Sequence, residues 1–180
     1  MTQDEQQIIN LFILKTAAER YAKSRPFFHP LVIKRIKEFT ACEQFKLALD
    51  VGCGTGQSTL ALLEIADQVT GTDISAEMLS QTPKDLRLRF FQSPAEKLPF
   101  ENETFDLVTV GLAFHWFERE KFLSEANRVL HPNGWLVIYN KWFTCEMKEN
   151  LDFKTWCHEE HFKRYPSPLR NYRISTLLLK

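Results

Sequence analysis

The residues best placed to do chemistry in this 180-residue chain form a glycine-rich run, Asp-Val-Gly-Cys-Gly-Thr-Gly, from Asp50 to Gly56. Residues 45–51 are mostly apolar and predict a short buried strand, and residues 57–66 predict a helix. Three glycines at alternate positions let the backbone turn sharply and let a ligand come close to its N–H groups. A strand, a glycine turn and a helix start together are typical of a nucleotide-type binding site, whose ligand the N-terminal helix amides would face.

The spacing of the glycines narrows the choice of ligand. The dinucleotide pattern G-x-G-x-x-G would place its third glycine at position 57, where this chain has Gln57. The glycines stand instead at Gly52, Gly54 and Gly56, two residues after Asp50. An NAD-dependent oxidoreductase therefore remains only as the less favoured alternative.

A second acid follows the glycines at a suitable distance. Residues 68–75 predict a strand that ends in Asp73, with Ser75 capping a helix that runs to Gln81. An acid about 20 residues beyond such a glycine turn can accept hydrogen bonds from two ribose hydroxyls. Asp73 thus indicates an adenosyl ligand, although the same geometry serves NAD and S-adenosylmethionine. The alternative is a surface acid favoured by the helix dipole.

These features resemble motif I of the class I S-adenosylmethionine-dependent methyltransferases. Residues 95–100, Ala-Glu-Lys-Leu-Pro-Phe, are similar to the family segment that closes over the adenine ring, although Pro94 stands where many relatives have an acid. The resemblance implies S-adenosylmethionine as cofactor, with the ribose on Asp73. It further implies that the methionine part of the cofactor lies against Asp50, Gly52, Gly54 and Gly56. Ile74 would contact the adenine face, and Ala95 and Glu96 the adenine edge.

Residues 105–117 predict a fourth strand and the loop after it. The pattern F-D-L-V-x-x-x-x-A-x-H-W-F resembles a subgroup of small-molecule methyltransferases that includes trans-aconitate methyltransferase-like proteins. The resemblance implies that Ala113 borders the transferred methyl group and makes His115 the candidate catalytic residue. An imidazole suits either a general base or a group that orients an acceptor oxygen. The alternative is a histidine that only hydrogen-bonds the loop.

The segment before the glycine turn predicts two helices, over residues 8–21 and 31–39, separated by a proline-containing turn. Tyr21-x-x-x-Arg25-Pro26 resembles a segment that lies across the methyl-donor site as a lid. In that role the Tyr21 ring would face the sulfonium cation, and Arg25 would pair with the donor carboxylate or an acidic substrate. Helix packing with a proline turn explains the same residues equally well.

The order of predicted elements indicates the fold class. Residues 118–130 predict a helix, residues 131–134 a turn and residues 135–139 a fifth strand. Strands alternating with helices predict an α/β fold with a doubly wound, mainly parallel sheet. The family resemblance implies that this is the Rossmann-like methyltransferase fold. One structural domain is expected, with N-terminal helices and lid in residues 1–40, the cofactor-binding core in 41–140 and a partial substrate-capping segment in 141–180.

The C-terminal part predicts an incomplete sheet. Residues 150–163 predict a helix, and residues 174–179 have room for at most one short strand, so the family's closing strand hairpin is expected to be missing and the chain to be truncated. An apolar strand over residues 136–138 would then lie at an open sheet edge, which invites pairing. Either the tail folds back over that edge or molecules self-associate through it.

Composition limits the function classes. Lys plus Arg and Asp plus Glu both number 23, which gives no basic footprint for nucleic acid. No segment is apolar enough for a membrane span, the four cysteines form no C-x-x-C pair, and no metal site is predicted. The sequence predicts a cytoplasmic S-adenosylmethionine-dependent methyltransferase acting on a small-molecule acceptor. A non-catalytic adenosyl-ligand-binding module is the other alternative.

Overall fold

The computed structural model describes residues 28–140, 150–164 and 178–179. The chain divides into two compact units. The described residues up to Tyr139, with 178–179, belong to the first, and residues 140 and 150–164 belong to the second. No helix in these ranges is long and apolar enough to cross a membrane.

The first unit is an α/β sheet structure. In chain order, its elements are α1 (His29–Thr40), β1 (Phe45–Val51), α2 (Gln57–Leu62), β2 (Ala66–Asp73), α3 (Ala76–Leu79), β3 (Leu88–Gln92), β4 (Phe105–Gly111), a 3-10 turn (Phe114–Trp116), α4 (Arg119–Val129), β5 (Leu130–Tyr139) and β6 (Leu178–Leu179). The strand order in the sheet is β3-β2-β1-β4-β5-β6. Strands β1 to β5 are parallel and β6 is antiparallel to β5. This arrangement confirms the predicted doubly wound, mainly parallel α/β fold.

Both faces of the sheet are buried. Successive residues of a strand point to opposite faces, so neighbouring residues belong to different core clusters. Ala48 of β1 belongs to a core cluster with Ile33 of α1. Its neighbour Leu49 belongs to a second cluster with Phe122 and Ala126, which lie four residues apart on one face of α4. Because β1 to β5 are parallel, their carboxyl ends lie along one edge of the sheet, between these two clusters.

Two helices are shorter than the sequence pattern predicts. The helix after the glycine turn ends at Leu62 rather than near Ala66. The N–H groups of the next three residues bond the carbonyls three positions back, which tightens the chain into a turn that enters β2 directly. Helix α3 ends at Leu79 rather than Gln81, but its predicted cap is confirmed, since the Ser75 hydroxyl accepts a hydrogen bond from the Met78 N–H.

The turn predicted over residues 131–134 is part of an irregular strand. Phe105 pairs with Leu130 and Leu107 pairs with Trp135, so β5 carries three extra residues between these pairs. Asn133, one of the residues between these pairs, has a left-handed φ of 68°. The predicted separate turn is therefore wrong, because β5 follows α4 directly and begins at Leu130, five residues earlier than predicted.

The outer edge of β5 is covered, which corrects the expectation of an open strand at residues 136–138. Leu178 pairs with Val137 and Leu179 pairs with Leu136, both antiparallel. Of the two outcomes that the sequence allows, the structure shows the first, in which the tail folds back.

The second unit is mainly helical where it is described. It contains α5 (Phe153–Trp156), a π-helical turn (Cys157–His161) and α6 (Phe162–Arg164). Cys157 is fully buried, and the rings of Phe153 and Trp156 stack with centroids 5.6 Å apart. The predicted helix over 150–163 is thus confirmed in type, with its start at Phe153.

Candidate functional site

The glycine run follows β1 directly and needs its glycines for backbone geometry. Gly52, Gly54 and Gly56 have φ values of 71°, 57° and 77°, in the left-handed region that side chains disfavour. A Cβ on Gly52 would lie 2.6 Å from the Ala113 Cβ, in the loop after β4. Gly52 is therefore required both by its own conformation and by the close packing of these two loops.

Most N–H groups of this turn are already used by the protein. The Gly52 and Cys53 N–H groups donate to the Thr72 carbonyl at 2.8 and 2.9 Å, and the Gly56 N–H donates to the Cys53 carbonyl. The sharp turn therefore satisfies these three amides within the protein. Close approach of a ligand thus depends on the missing side chains rather than on unpaired amides.

One hydroxyl in the turn remains without a partner. Thr55 is 3% exposed, and its Oγ1 makes no hydrogen bond to any part of the chain that the structure describes. A buried hydroxyl without a partner is costly. Thr55 is therefore a polar group in the turn that the described part of the chain leaves unsatisfied.

Asp50 lies beneath the turn, fully buried. Its Oδ2 accepts hydrogen bonds from the Ser58 and Thr59 hydroxyls at 2.6 and 2.7 Å, and its Oδ1 accepts one from Thr109 at 3.1 Å. Burial raises the pKa of Asp50 to about 6, although the three hydroxyls oppose the shift. The carboxylate therefore ties together β1, α2 and β4 under the loop.

Asp73 stands at the carboxyl end of β2, beside the turn. Its Oδ2 accepts a hydrogen bond of 2.8 Å from the Gly54 N–H, and its Oδ1 accepts one of 2.9 Å from the Ser75 N–H. Burial raises the pKa of Asp73, and these backbone bonds oppose the rise. The next residue, Ile74, is 67% exposed. The structure thus brings together the acid, the glycine turn and an exposed apolar side chain.

The loop after β3 carries the two residues expected at the adenine edge. The Ser93 N–H donates to the Asp73 carbonyl at 3.0 Å, which brings this loop next to the acid. The Ala95 side chain is buried in the core. The Glu96 Oε1 accepts a 2.8 Å hydrogen bond from the Glu118 N–H. The Glu96 carboxylate therefore caps the start of α4, a contact that the sequence pattern does not reveal.

Helix α4 also fixes the rest of this loop. The Arg128 guanidinium donates to the carbonyls of Phe100 and Leu98 at 2.7 and 3.0 Å. Its partner Glu125 pairs with it at 2.8 Å and accepts the Leu98 N–H at 2.8 Å. The pairing raises the pKa of Arg128 and lowers that of Glu125. The loop beside Asp73 is thus held by side chains about 30 residues further along the chain.

The loop after β4 places Ala113 and His115 at the same edge. Leu112 has a left-handed φ of 60°, and its N–H donates to the Tyr139 carbonyl at 3.0 Å. His115 lies in the 3-10 turn, half-buried, with its ring 4.6 Å from that of the exposed Trp116. Tyr21 and Arg25, the two residues expected in a lid, lie outside the described residues.

The sequence pattern missed two residues at this edge, His29 and Tyr139. The His29 Nδ1 lies 3.4 Å from the Tyr139 hydroxyl. Tyr139 is the last residue of β5, as Asp73 is the last residue of β2. Since ligands bind at the carboxyl ends of parallel strands, this position could have identified Tyr139 from the sequence. Nothing in the sequence near position 29 indicates that this histidine meets a residue 110 positions away.

Known proteins share this architecture. A Dictyostelium discoideum protein with methyltransferase in its name is 32% identical over 135 residues, which cover 72% of this chain and 51% of that protein. The Saccharomyces cerevisiae protein named Probable S-adenosylmethionine-dependent methyltransferase CRG1 is 26% identical over 157 residues, or 81% and 54% of the two chains. A solved Methanococcus maripaludis structure shares the fold with a TM-score of 0.65 at 19% identity, covering 84% of this chain and 72% of that one.

The chain spans about half the length of the curated relatives it matches. The family described as Methyltransferase domain matches residues 49–138, half of the chain and the part that carries the glycine turn, Asp73 and the loops after β3 and β4. By this match the chain belongs to the Methyltransferase domain family.

Proposed function

We propose that this chain binds S-adenosylmethionine at the carboxyl edge of β1, β2 and β4 and aligns it for methyl transfer to a small-molecule acceptor. One observation carries the proposal: the Asp73 carboxylate lies beside the glycine-rich turn and accepts a hydrogen bond from the Gly54 N–H, with the exposed Ile74 next to it. An adenosyl ligand matches these groups, since its ribose hydroxyls donate to an acid and its adenine face covers an apolar side chain.

The residues present fit the methionine end of this cofactor as well. The turn from Gly52 to Gly56 leaves room for close approach, and the Thr55 hydroxyl can bond the amino acid part. Asp50 supports the turn from below through Ser58, Thr59 and Thr109. We propose that Asp50 acts by positioning the loop and not by direct contact with the ligand.

The remaining residues border the two outer ends of the ligand in this proposal. Ala95 and Glu96 lie in the loop that follows β3 beside Asp73, and we propose that this loop meets the adenine edge. Ala113 packs on Gly52, which supports its place beside the methyl group, with His115 two residues further on. The lid roles of Tyr21 and Arg25 stay predictions, as does a capping role for residues 141–180.

Alignment is the main contribution of the protein in this reaction. S-adenosylmethionine supplies a methyl group already activated by the sulfonium. The chain has to hold donor and acceptor in line and exclude water, which contributes up to about 7–11 kcal/mol when the geometry is good. A rigid edge of buried strands serves this purpose. His115 then orients the acceptor or takes up its proton.

Calorimetric titration separates this proposal from the oxidoreductase alternative. S-adenosylhomocysteine, the demethylated product, is titrated into the chain in one experiment and NADH in another. We expect S-adenosylhomocysteine to bind with micromolar affinity and NADH to give no measurable heat. Tight binding of NADH with no binding of S-adenosylhomocysteine would overturn the assignment.

A non-catalytic adenosyl-binding module is the second candidate, because the same fold supports different functions. The test incubates S-adenosylmethionine with panels of small carboxylates, phenols and amines and measures S-adenosylhomocysteine release. Binding without turnover over all three panels supports the module, and turnover with any acceptor rejects it.

We also propose the trans-aconitate methyltransferase-like subgroup, which the residues Ala113, His115, Trp116 and Phe117 support by their spacing. Turnover in the carboxylate panel alone is the result expected from this subgroup. A cytoplasmic location and no binding to nucleic acid stay predictions. Self-association through residues 136–138 is no longer proposed, because β6 pairs with Leu136 and Val137.

A further inference from the structure

A histidine–tyrosine pair lies at the carboxyl edge of β5 and is separate from the residues proposed above as cofactor contacts. His29, at the start of α1, is 8% exposed, and its Nδ1 lies 3.4 Å from the Tyr139 hydroxyl. Phe28 stacks on the His29 ring at 4.6 Å and meets the edge of the Tyr139 ring at 6.5 Å. The two polar side chains are therefore held in place by aromatic packing from two elements far apart in sequence.

The end of β4 is shaped to accommodate this tyrosine. Gly111 pairs with Tyr139 in the parallel ladder. A Cβ at Gly111 would lie 2.5 Å from the Tyr139 Oη and 2.6 Å from its Cζ. No side chain larger than hydrogen fits there with the ring in place. The tyrosine hydroxyl thus lies across the carboxyl end of β4.

The same edge continues into the proposed methyl-transfer position. Only Leu112 separates Gly111 from Ala113. The Ala113 Cβ packs closely against Gly52, where an added Cβ would lie only 2.6 Å away. The Leu112 N–H is bonded to the Tyr139 carbonyl, which fixes the start of this loop to the end of β5. Tyr139, the loop after β4 and the glycine turn therefore line one continuous stretch of the edge where parallel sheets bind ligands.

We propose that the Tyr139 hydroxyl hydrogen-bonds the acceptor atom at the methyl-transfer position, and that His29 is the positioning residue that fixes this hydroxyl. A phenolic hydroxyl both donates and accepts. When the His29 Nδ1 carries no proton, the Tyr139 hydroxyl donates to it. The Tyr139 oxygen then accepts a hydrogen bond from the O–H or N–H group that is to be methylated. The inference rests on the proposed function and adds two residues on the acceptor side of the same site.

The competing explanation is that both side chains only fill space between α1 and the sheet. A purely structural pair would affect folding stability and would treat all ligands of the site alike. A pair that faces the methyl position would instead discriminate between ligands that differ only at that position.

The two probes are S-adenosylhomocysteine and sinefungin. Sinefungin has a carbon bearing an amine where S-adenosylmethionine has its methylated sulfur, so its ammonium occupies the methyl-transfer position. Tyr139→Phe keeps the ring packed over Gly111 and removes only the hydroxyl. By calorimetry, we expect this variant to bind S-adenosylhomocysteine within twofold of wild type and to lose about tenfold in affinity for sinefungin.

His29 is tested by two variants of similar burial. His29→Phe keeps a ring stacked on Phe28 but removes the nitrogen, and we expect a loss of sinefungin affinity of about threefold to tenfold with S-adenosylhomocysteine unchanged. His29→Asn retains a polar atom near the position of Nδ1, and we expect it to recover part of that loss. Thermal melting of each variant confirms that it is folded under the titration conditions.

The affinity ratio of the two probes decides the outcome. An unchanged ratio in Tyr139→Phe, or an equal loss for both probes, overturns the proposal and leaves the pair a structural one. A selective loss for sinefungin supports it. If the wild-type protein binds neither S-adenosylhomocysteine nor sinefungin, the result rejects the proposed cofactor binding itself. The role proposed here for Tyr139 and His29 is then rejected as well.

Discussion

The Gly54 N–H donates a 2.8 Å hydrogen bond to the Asp73 carboxylate, across the carboxyl ends of β1 and β2. The other carboxylate oxygen accepts the Ser75 N–H, which starts α3. Asp73 therefore fixes the glycine turn while it faces the position proposed for the ribose. The shape of the loop and the direction of the acid depend on each other.

Replacement of Asp73 by alanine is expected to weaken S-adenosylhomocysteine binding by at least about tenfold. The variant removes the acceptor for the ribose hydroxyls, and hydrogen bonds to a charged group contribute about 1.5–3 kcal/mol each. It also releases the Gly54 N–H. Calorimetric titration measures the change in affinity.

Asp67→Ala is the matched control for this prediction. Asp67 lies on the same strand at its opposite end, where it accepts a 2.8 Å hydrogen bond from the exposed Gln44 side chain. Its removal is expected to leave the affinity within twofold of wild type. Equal affinity losses in the two variants would show that Asp73 has no particular role in binding.

Asp50 is expected to make stability depend on pH. Its pKa is raised from 3.8 to about 6 in the folded state, so between pH 4 and 6 the folded protein keeps a proton that the unfolded chain has lost. The free energy of unfolding therefore falls as pH rises through this window and levels off above the folded pKa. A shift of this size corresponds to about 3 kcal/mol.

Comparison with Asp50→Asn isolates this contribution, because asparagine has no proton to lose. Urea unfolding of the ligand-free proteins at intervals between pH 4 and 7 gives both free energies. We expect the wild type to lose stability relative to the variant as pH rises. A constant difference between the two would contradict a raised pKa at Asp50.

Local sequence patterns predicted much of the fold for a physical reason. Strand β1 is a short apolar run that ends at the glycine turn, so Phe45–Val51 was predicted to the residue. Helix ends were less accurate, because the turn after Leu62 depends on where β2 begins in three dimensions. The three extra residues in β5 likewise depend on its pairing with β4.

The candidate site was predictable where the signal lies in adjacent residues. The glycine turn and Asp73 follow a short-range pattern, and the structure places them within one hydrogen bond of each other. The Glu96 contact to α4 and the His29–Tyr139 pair join residues 22 and 110 positions apart. Such contacts are created by packing of the whole sheet, and a local pattern carries no trace of them.

Gly111→Ala is expected to destabilise the protein by about 1–3 kcal/mol, because the new Cβ would overlap the Tyr139 ring. Since the new Cβ would overlap only with the Tyr139 ring among its nearest neighbours, the double variant Gly111→Ala/Tyr139→Ala should be destabilised by much less than the sum of the two single changes. Urea unfolding of the wild type, the two single variants and the double variant gives the four free energies of this double-mutant cycle. Additive free energies would mean that the ring does not occupy the space beside Gly111.

Two buried hydroxyls without partners provide a last comparison, Thr55 in the glycine turn and Thr72 in β2. Valine has nearly the same shape as threonine and lacks the hydroxyl. Because each change removes a polar group that is unsatisfied in the part of the chain described, both variants are expected to raise the free energy of unfolding of the ligand-free protein by about 1 kcal/mol.

Ligand binding should separate the two variants. Thr55→Val is expected to weaken S-adenosylhomocysteine binding by about fivefold to tenfold, since a hydrogen bond to the amino acid part of the ligand contributes about 1 kcal/mol. Thr72 is fully buried in the sheet, so Thr72→Val should bind the ligand as wild type does. Unchanged affinity in Thr55→Val would mean that its hydroxyl does not meet the ligand. If Thr55→Val is more stable than wild type and binds the ligand equally well, the Thr55 hydroxyl only destabilises the turn. A hydroxyl that hydrogen-bonds the ligand would instead cost affinity when it is removed.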